Sequence, residues 1–334
     1  MYVSLRDVAA RSGVSFQTAS KVLNGRSGVV SASTRERILQ AAAELGYVPN
    51  AMARGLVRQA SVTVGVVADD FSDLAVSQFV LAAQRAAASR GHAALISSVH
   101  ATIDAELAVR KLLEYRVDGI LVAAPSLEDD PGLGAALKGP LPVVSINRIH
   151  GAVVPTVGSD HAVTGTLAAE HLLGLGHRNI GVVSGPRARQ VVGSRMRGFR
   201  AALREAGEPL PERRIVEADW TFDGGHAATH RLLDTDAVTA IFVHNDAMAM
   251  GALKALHERG LRLPADCSVV GCDDLSFAGY LVPPLTTVRI PFQETGERAA
   301  TLLVDRIGGK EIPLRNLLPV ELIVRESTSP PGSP

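Results

Sequence analysis

Hydrophobic and polar positions change period along this chain. Over residues 4–46, apolar side chains recur at helical spacing in short segments separated by turn residues. Ser4 with Asp7 three residues on predicts a capping box for a first helix over 5–12, with Val8 and Ala9 on its apolar face. Gly13 stands where the chain must turn, because glycine reaches positive φ without a Cβ clash. Ser15 caps a second helix over 16–23, which Asn24-Gly25 ends. Ser33 with Glu36 predicts a second capping box, opening a third helix in which Ile38, Leu39, Ala42 and Leu45 keep helical spacing up to Gly46. Tyr47-Val48-Pro49-Asn50 breaks that helix, and Asn50 can cap a further segment over 51–57. One or two turns are too short to be stable alone in water.

From residue 61 apolar runs alternate with helical patterns. Strands are predicted over 62–67, 93–98, 119–122 and 143–146, then 180–184, 240–243, 268–272 and 286–290. Helical stretches lie between them at 77–89, 104–115, 162–175, 195–206, 224–233 and 247–259. Strand–helix alternation over this length predicts doubly wound parallel sheets, and the strand count suits two sheets better than one. The junction falls near Val157 to Asp160, with later crossings near Val288 to Pro291 and around Leu318. The expected organisation is a helical head over 1–48, a hinge and linker over 49–60, and a core over 61–330. Within the core, 61–159 with 290–318 makes one subdomain, and 160–289 with 319–330 makes the other.

Composition narrows the class. At 334 residues, 46% hydrophobic and 20% charged, the chain is a globular protein of more than one domain. No apolar run approaches the ~20 residues of a membrane helix. The N-terminal residues lack the apolar core of a signal peptide, so a cytoplasmic protein is expected. Cys267 and Cys272 have neither zinc-knuckle nor redox spacing and read as small core residues. Formal charge is balanced over the whole chain but not along it. Residues 1–60 hold eight basic side chains (Arg6, Arg11, Lys21, Arg26, Arg35, Arg37, Arg54, Arg58) against Asp7, Glu36 and Glu44, a net +5, which leaves −5 on the remainder. A basic head on an acidic body suits a phosphate-binding module joined to a domain with another task.

Three short helices with a glycine in the first turn make a helix-turn-helix unit, whose second helix enters the major groove by its N-terminal residues. Those residues are Ser15, Phe16 and Gln17, with Ser20 and Lys21 one turn later and Asn24 at the end. Gln can bond an adenine edge bidentately, and an aromatic ring can meet a thymine methyl. In the segment after Asn50, Leu56 beside Ala53 and Arg54 suits a minor groove, where an apolar wedge unstacks a base step and arginine follows phosphates.

In open α/β sheets, ligands sit beyond the carboxyl ends of the strands. Just past the predicted ends stand Asp69, Asp70 and Phe71, Asn147 and Arg148, Asn245 and Asp246, Asp273 and Asp274, and Phe292. Arg195 opens a helix of the second half, and Trp220, the only tryptophan, follows Asp219 in a loop. Carboxylates, amides and a guanidinium bond several hydroxyls at once while Trp and Phe offer flat apolar faces, a mixture that suits a carbohydrate or similar polyol. Asp246 and Asp274 read as helix-capping or structural carboxylates. Asp69, Phe71, Asn147, Arg195, Trp220, Asn245, Asp273 and Phe292 are the candidate ligand contacts.

The strings DVAARSGVSFQTASKVLNG and TRERILQAAAELGYVPNAMARGL resemble the head and hinge of the lactose-repressor (LacI/GalR) family. SRMRGFRAAL, HNDAMAMGALKALHERGLRLP, CSVVGCDDLSFAGY and PPLTTVRIPF resemble its core. The resemblance implies an all-α helix-turn-helix head with a hinge helix. Behind it would follow an α/β periplasmic-binding-protein-like core of two doubly wound parallel-sheet subdomains. It implies that Phe16, Gln17 and Lys21 read an operator and that Leu56 inserts at the centre of a palindromic site. By motif, the arginine of Arg-x-x-Gly-Phe is Arg195, the Asn-Asp pair supplies Asn245, and Gly-x-Asp-Asp supplies Asp273. Cys272, Asn147 and Ile290 depart from residues common in the family, which bears on which ligand is bound. The expected protein is a transcriptional repressor controlled by a small-molecule effector, with double-stranded DNA as partner and no cofactor. A palindromic site calls for a homodimer. No leucine heptad follows Thr328, so no tetramer-forming tail is expected.

Two rival classes fare worse. For an enzyme there is no Gly-x-Gly-x-x-Gly after the first strand, no phosphate loop, no Gly-x-Ser-x-Gly and no His-Glu-x-x-His. His226 and His230 are four apart on a predicted helix, but the sequence offers them no third metal ligand, so they read as a solvated face. A free-standing sugar receptor would leave the helix-turn-helix without a role.

Overall fold

The computed structural model describes residues 3–24, 30–49, 61–69, 71, 73–99 and 104–332. The chain divides into two compact units, 1–61 and 62–334. The expected hinge residues Ala53, Arg54 and Leu56, and Asp70, lie outside the described residues.

In the first unit, helices α1 (Leu5–Ser12), α2 (Phe16–Leu23) and α3 (Ala32–Leu45) pack around Val8, Ala19, Val22, Ile38 and Ala41. The capping box at Ser4 and Asp7 is formed in both directions, and Gly13 turns the chain at φ 64°. Ser15 accepts from the Thr18 amide and caps α2. The start of α3 differs from expectation. Ser31, not Ser33, is its cap, accepting from the Thr34 amide, and no Ser33–Glu36 box forms. The pattern missed this because Ser31 and Ser33 are equally good caps, and packing of the head core admits one more half-turn.

The second unit holds two six-stranded sheets. The first, in spatial order β11-β5-β4-β3-β1-β2, comprises β1 (Thr63–Ala68), β2 (Ala93–Ser98), β3 (Gly119–Ala123), β4 (Val143–Ser145), β5 (Thr156–Ser159) and β11 (Arg315–Leu318). The second, β12-β10-β9-β8-β6-β7, comprises β6 (Ile180–Ser184), β7 (Ile215–Glu217), β8 (Ala240–Val243), β9 (Ser268–Asp273), β10 (Thr286–Arg289) and β12 (Glu321–Ile323). Every pairing is parallel except β10 with β12. The central strands β1, β3, β6, β8 and β9 are buried on both faces, which is why they read as unbroken apolar runs. The short strands β5, β7, β11 and β12, absent from the expected set, are three or four residues long with mixed polarity, too little text for a period to show.

Helices α4 (Leu74–Ser89), α5 (Ala105–Glu114), α6 (Pro131–Ala136) and α11 (Phe292–Ile307) cover the first sheet. The second is covered by α7 (His161–Gly174), α8 (Gln190–Glu205), α9 (Phe222–Thr235) and α10 (Asp246–Glu258). The chain therefore passes between the sheets after β5, again between β10 and α11, and finally between β11 and β12. No described helix is long and apolar enough to cross a membrane. Cys267 and Cys272 are free thiols in the core of the second sheet, and burial pushes the Cys267 thiol up to about 12.

Candidate functional site

On the head, the N-terminus of α2 is the chemically distinctive surface. Phe16 is 51% exposed, an unusual position for a ring in so small a bundle, and Gln17 and Lys21 are exposed beside it. Ser20 is half-buried and accepts from the Asn24 amide group at 3.2 Å, so Asn24 closes the helix end. Ala19 and Val22 face the core, which fixes the opposite face of α2 outward. Ser15 is engaged as cap and also meets Thr18 Oγ1 at 2.8 Å.

In the second unit, residues from both lobes converge beyond the strand ends. Arg195, 4% exposed, lies one turn inside α8. Its guanidinium donates to the His244 carbonyl and lies 3.4 Å from the Asp273 carboxylate, while its Nε has no partner. The Arg-x-x-Gly-Phe pattern explains this placement. A Cβ at Gly198 would overlap the Ala162 carbonyl, so glycine lets α8 touch α7. Phe199 stacks on Phe242 at 5.0 Å and locks the helix over β8. Asp273, 7% exposed, ends β9 at φ 118°, a conformation that side chains rarely adopt. Burial drives its carboxyl up, opposed by Arg195 and reinforced by Asp246 and by Asp73 of the other lobe.

Asn245 has a double duty. Its Oδ1 accepts from the Met248 amide as the cap of α10, and its Nδ2 donates to the Trp220 carbonyl at 3.1 Å. Trp220, at φ 72°, lays its ring over Gly185 just past β6, where a Cβ would collide with it. Asp246 is fully buried, accepting from the Leu275 amide and the Thr287 hydroxyl, and Asp274 pairs with Arg325 at 2.6 Å, so both carboxylates serve the fold. Burial pushes Asp246 up to about 7.

On the first lobe, Asp69 is turned onto the segment that follows β3, accepting from the Ser126 amide at 2.8 Å and from its hydroxyl. Burial raises its carboxyl. Phe71 is 39% exposed, and its carbonyl accepts from Ser77. Asn147 buries an unpartnered Oδ1. Phe292 begins α11, a helix of the first lobe, yet packs against the core of the second.

Several residues of this region escaped the sequence reading. His244 stands between β8 and Asn245, fully buried, with both ring nitrogens unpartnered. Burial and then Arg195 hold it neutral, and the same causes push His161 down to about 3. The strand-end rule that found Asn245 applies equally to His244. Across the lobes, the Arg189 guanidinium donates to the Pro125 carbonyl at 2.5 Å, and Gln190 donates to Glu128 and Asp129. No periodic signal marks those contacts, since each joins the N-terminal end of α8 to the other lobe.

Comparison with known proteins agrees with this layout. Residues 4–50 match the family described as bacterial regulatory proteins, lacI family, and residues 169–328 match the periplasmic binding protein-like domain. The lactose operon repressor of Escherichia coli is 35% identical over 99% of this chain and 92% of its own length. The transcriptional regulator CelR of Thermobifida fusca is 36% identical over 97% and 98%. Among solved structures, the lac repressor dimer bound to operator and the anti-inducer ONPF superposes with a TM-score of 0.91 at 33% identity, covering 98% of this chain and 100% of that one. A CelR–cellobiose complex superposes at 0.75 with 35% identity, covering 97% and 99%. These relatives are transcriptional regulators. The chain, with its helix-turn-helix head and two-lobed core, belongs to the lacI family of bacterial regulatory proteins and is a DNA-binding repressor under ligand control.

Proposed function

We propose that residues 1–48 read a palindromic operator, 49–60 act as the hinge, and 61–330 bind a carbohydrate effector between the lobes of a homodimer. The observation that carries the effector reading is the buried Arg195–Asp273 pair at the strand ends, with an unpartnered Arg195 Nε and two neutral, enclosed histidines around it. Such groups, with Asn245 beside them, Asn147 and Asp69 past the strand ends of the other lobe, and the Trp220, Phe71 and Phe292 rings, suit the hydroxyls and flat faces of a sugar. The CelR relative in complex with cellobiose supports the same class.

Ser15, Phe16, Gln17, Ser20, Lys21 and Asn24 contact the major groove, and Ala53, Arg54 and Leu56 the minor groove. The exposed Phe222, Met250, Tyr280 and Val282 supply apolar surface for the second copy that a two-fold site requires. The protein works where its operator is, in the cytoplasm, and binds its effector without chemical turnover. The effector favours one arrangement of the lobes, DNA favours another, and the coupling is reciprocal.

Operator binding by fluorescence anisotropy at fixed salt, run against a panel of mono- and disaccharides, tests this reading. A sugar that shifts operator affinity in the wild type and not in Arg195→Ala supports it. A panel without effect, or a sugar consumed on incubation, overturns it.

A further inference from the structure

The sequence left His226 and His230 without a third ligand, and the fold supplies one. Helices α9 and α10 pack closely because each places a glycine against the backbone of the other. A Cβ at Gly225 would overlap the Met248 backbone, and one at Gly251 the Phe222 carbonyl. That approach brings Glu258, in the last turn of α10, against both histidines. Its Oε2 lies 2.7 Å from His226 Nε2 and 3.2 Å from His230 Nε2. Both Nε2 atoms thus meet the same carboxylate oxygen, and the two rings stand edge to face with centroids 4.7 Å apart.

We propose that His226 Nε2, His230 Nε2 and a Glu258 carboxylate oxygen form a zinc site that clamps α9 to α10. Two imidazoles and a carboxylate are a donor set that zinc favours over magnesium or calcium. Zinc bonds of about 2.0–2.2 Å at tetrahedral angles hold ligand atoms roughly 3.3 Å apart. Reaching that spacing opens the His226–Glu258 contact by about 0.6 Å and the His230–Glu258 contact by about 0.1 Å, on side chains that are half-buried or exposed. The fourth coordination position is left to water or another donor.

The surroundings temper the affinity. Arg259 Nε donates to His230 Nδ1 at 3.0 Å, and arginine cannot accept, so the free ring carries its proton on Nε2 and donates it to Glu258. Coordination moves that proton to Nδ1, and Arg259 must turn away, keeping its 2.6 Å pair with Asp234. Lys254 Nζ, 3.8 Å from Glu258 Oε1, adds a second positive charge. Removing the Arg259 side chain therefore tightens zinc binding, an effect with no counterpart in a simple hydrogen-bonded surface network.

The test is zinc chloride titrated calorimetrically into the untagged, chelator-stripped full chain, with thermal melts alongside. One ion per chain at this site is expected, with a raised melting midpoint. His226→Ala/His230→Ala weakens binding by about tenfold or more and removes the midpoint rise. Arg259→Ala binds more tightly than wild type. Should the double variant fail to fold, Glu258→Ala gives the same readout through the other helix. Wild-type chain that takes up no zinc, variants that bind it as tightly as wild type, or Arg259→Ala that binds no more tightly overturn the proposal.

Discussion

The backbone amide of Gln190, first residue of α8, donates to the carboxylate of Glu128 at 2.6 Å, and the two residues belong to opposite lobes. Arg189, the residue at the helix cap position, has no side-chain cap of its own, so Glu128 does from across the interface what Ser or Asp does locally elsewhere. The carboxylate also meets the positive end of the helix dipole.

Opening the lobes must therefore strip α8 of its cap. Glu128→Ala is expected to speed amide exchange at Gln190 and Val191 while the far end of α8 stays protected. The loss should be about 1 kcal/mol, the usual worth of an N-cap. Hydrogen-exchange mass spectrometry reads it, and unchanged exchange in the first turn of α8 would remove the inter-lobe cap from the account.

Arg195 and Asp273 are a buried pair, so truncating one leaves the other uncompensated. Asp273→Ala is expected to destabilise the core by about 3–5 kcal/mol. Asp273→Asn keeps an acceptor for Arg195 and should cost less, while still abolishing the effector response. Urea melts and operator anisotropy separate the two effects.

Gly198→Ala reaches the same site indirectly. Its Cβ would strike the Ala162 carbonyl and force α7 from α8, displacing Arg195 one turn away. Effector affinity should fall together with the melting temperature. A variant with normal stability and a normal effector response would show that the helices have room that their geometry denies.

Two kinds of buried group oppose each other in pH dependence. Asp246, raised to about 7 by burial, is protonated in the folded chain and ionised in the unfolded one between about pH 4 and 7. The folded state then holds the extra proton, so this group's contribution falls as pH rises through that window. His161, lowered to about 3, acts in the reverse sense, since the unfolded chain holds the proton between about pH 3 and 6.5 and stability rises with pH. In Asp246→Asn the amide can still accept from Leu275 while Thr287 turns to accept from it. The urea midpoint of this variant should gain on wild type as pH is raised from 4 to 7. A difference that stays constant across that range would mean Asp246 is ionised in the fold.

On the head, Gln17→Ala is expected to cost about 1–3 kcal/mol on the selected operator and to relax specificity at one base pair. Lys21→Ala should also cost operator affinity and, because it removes a cation from the groove, reduce the salt slope by about 1. Anisotropy over a salt series distinguishes them, and equal behaviour of the two variants would argue against Gln17 as a base reader.

The sequence alone determined the elements whose cause is local. The Ser4 and Ser15 caps, the glycine stops at Gly13 and Gly46, and the long apolar strands of both sheets all follow from side-chain chemistry within a few residues of each position. The strand-end rule also marked Asn245 and Asp273, because α/β topology sends every parallel strand's carboxyl end to the same side. What each polar group does there follows from how the elements pack. That packing turned Asp69 onto Ser126, spent Asn245 on a cap and on Trp220, buried His244 against Arg195, and joined Glu128 to a helix of the other lobe. It also decided that Glu258 meets His226 and His230, 32 and 28 residues away along the chain. These pairings depend on how closely helices and lobes approach, a distance set by glycines and packed rings far apart in sequence, and no local period records it.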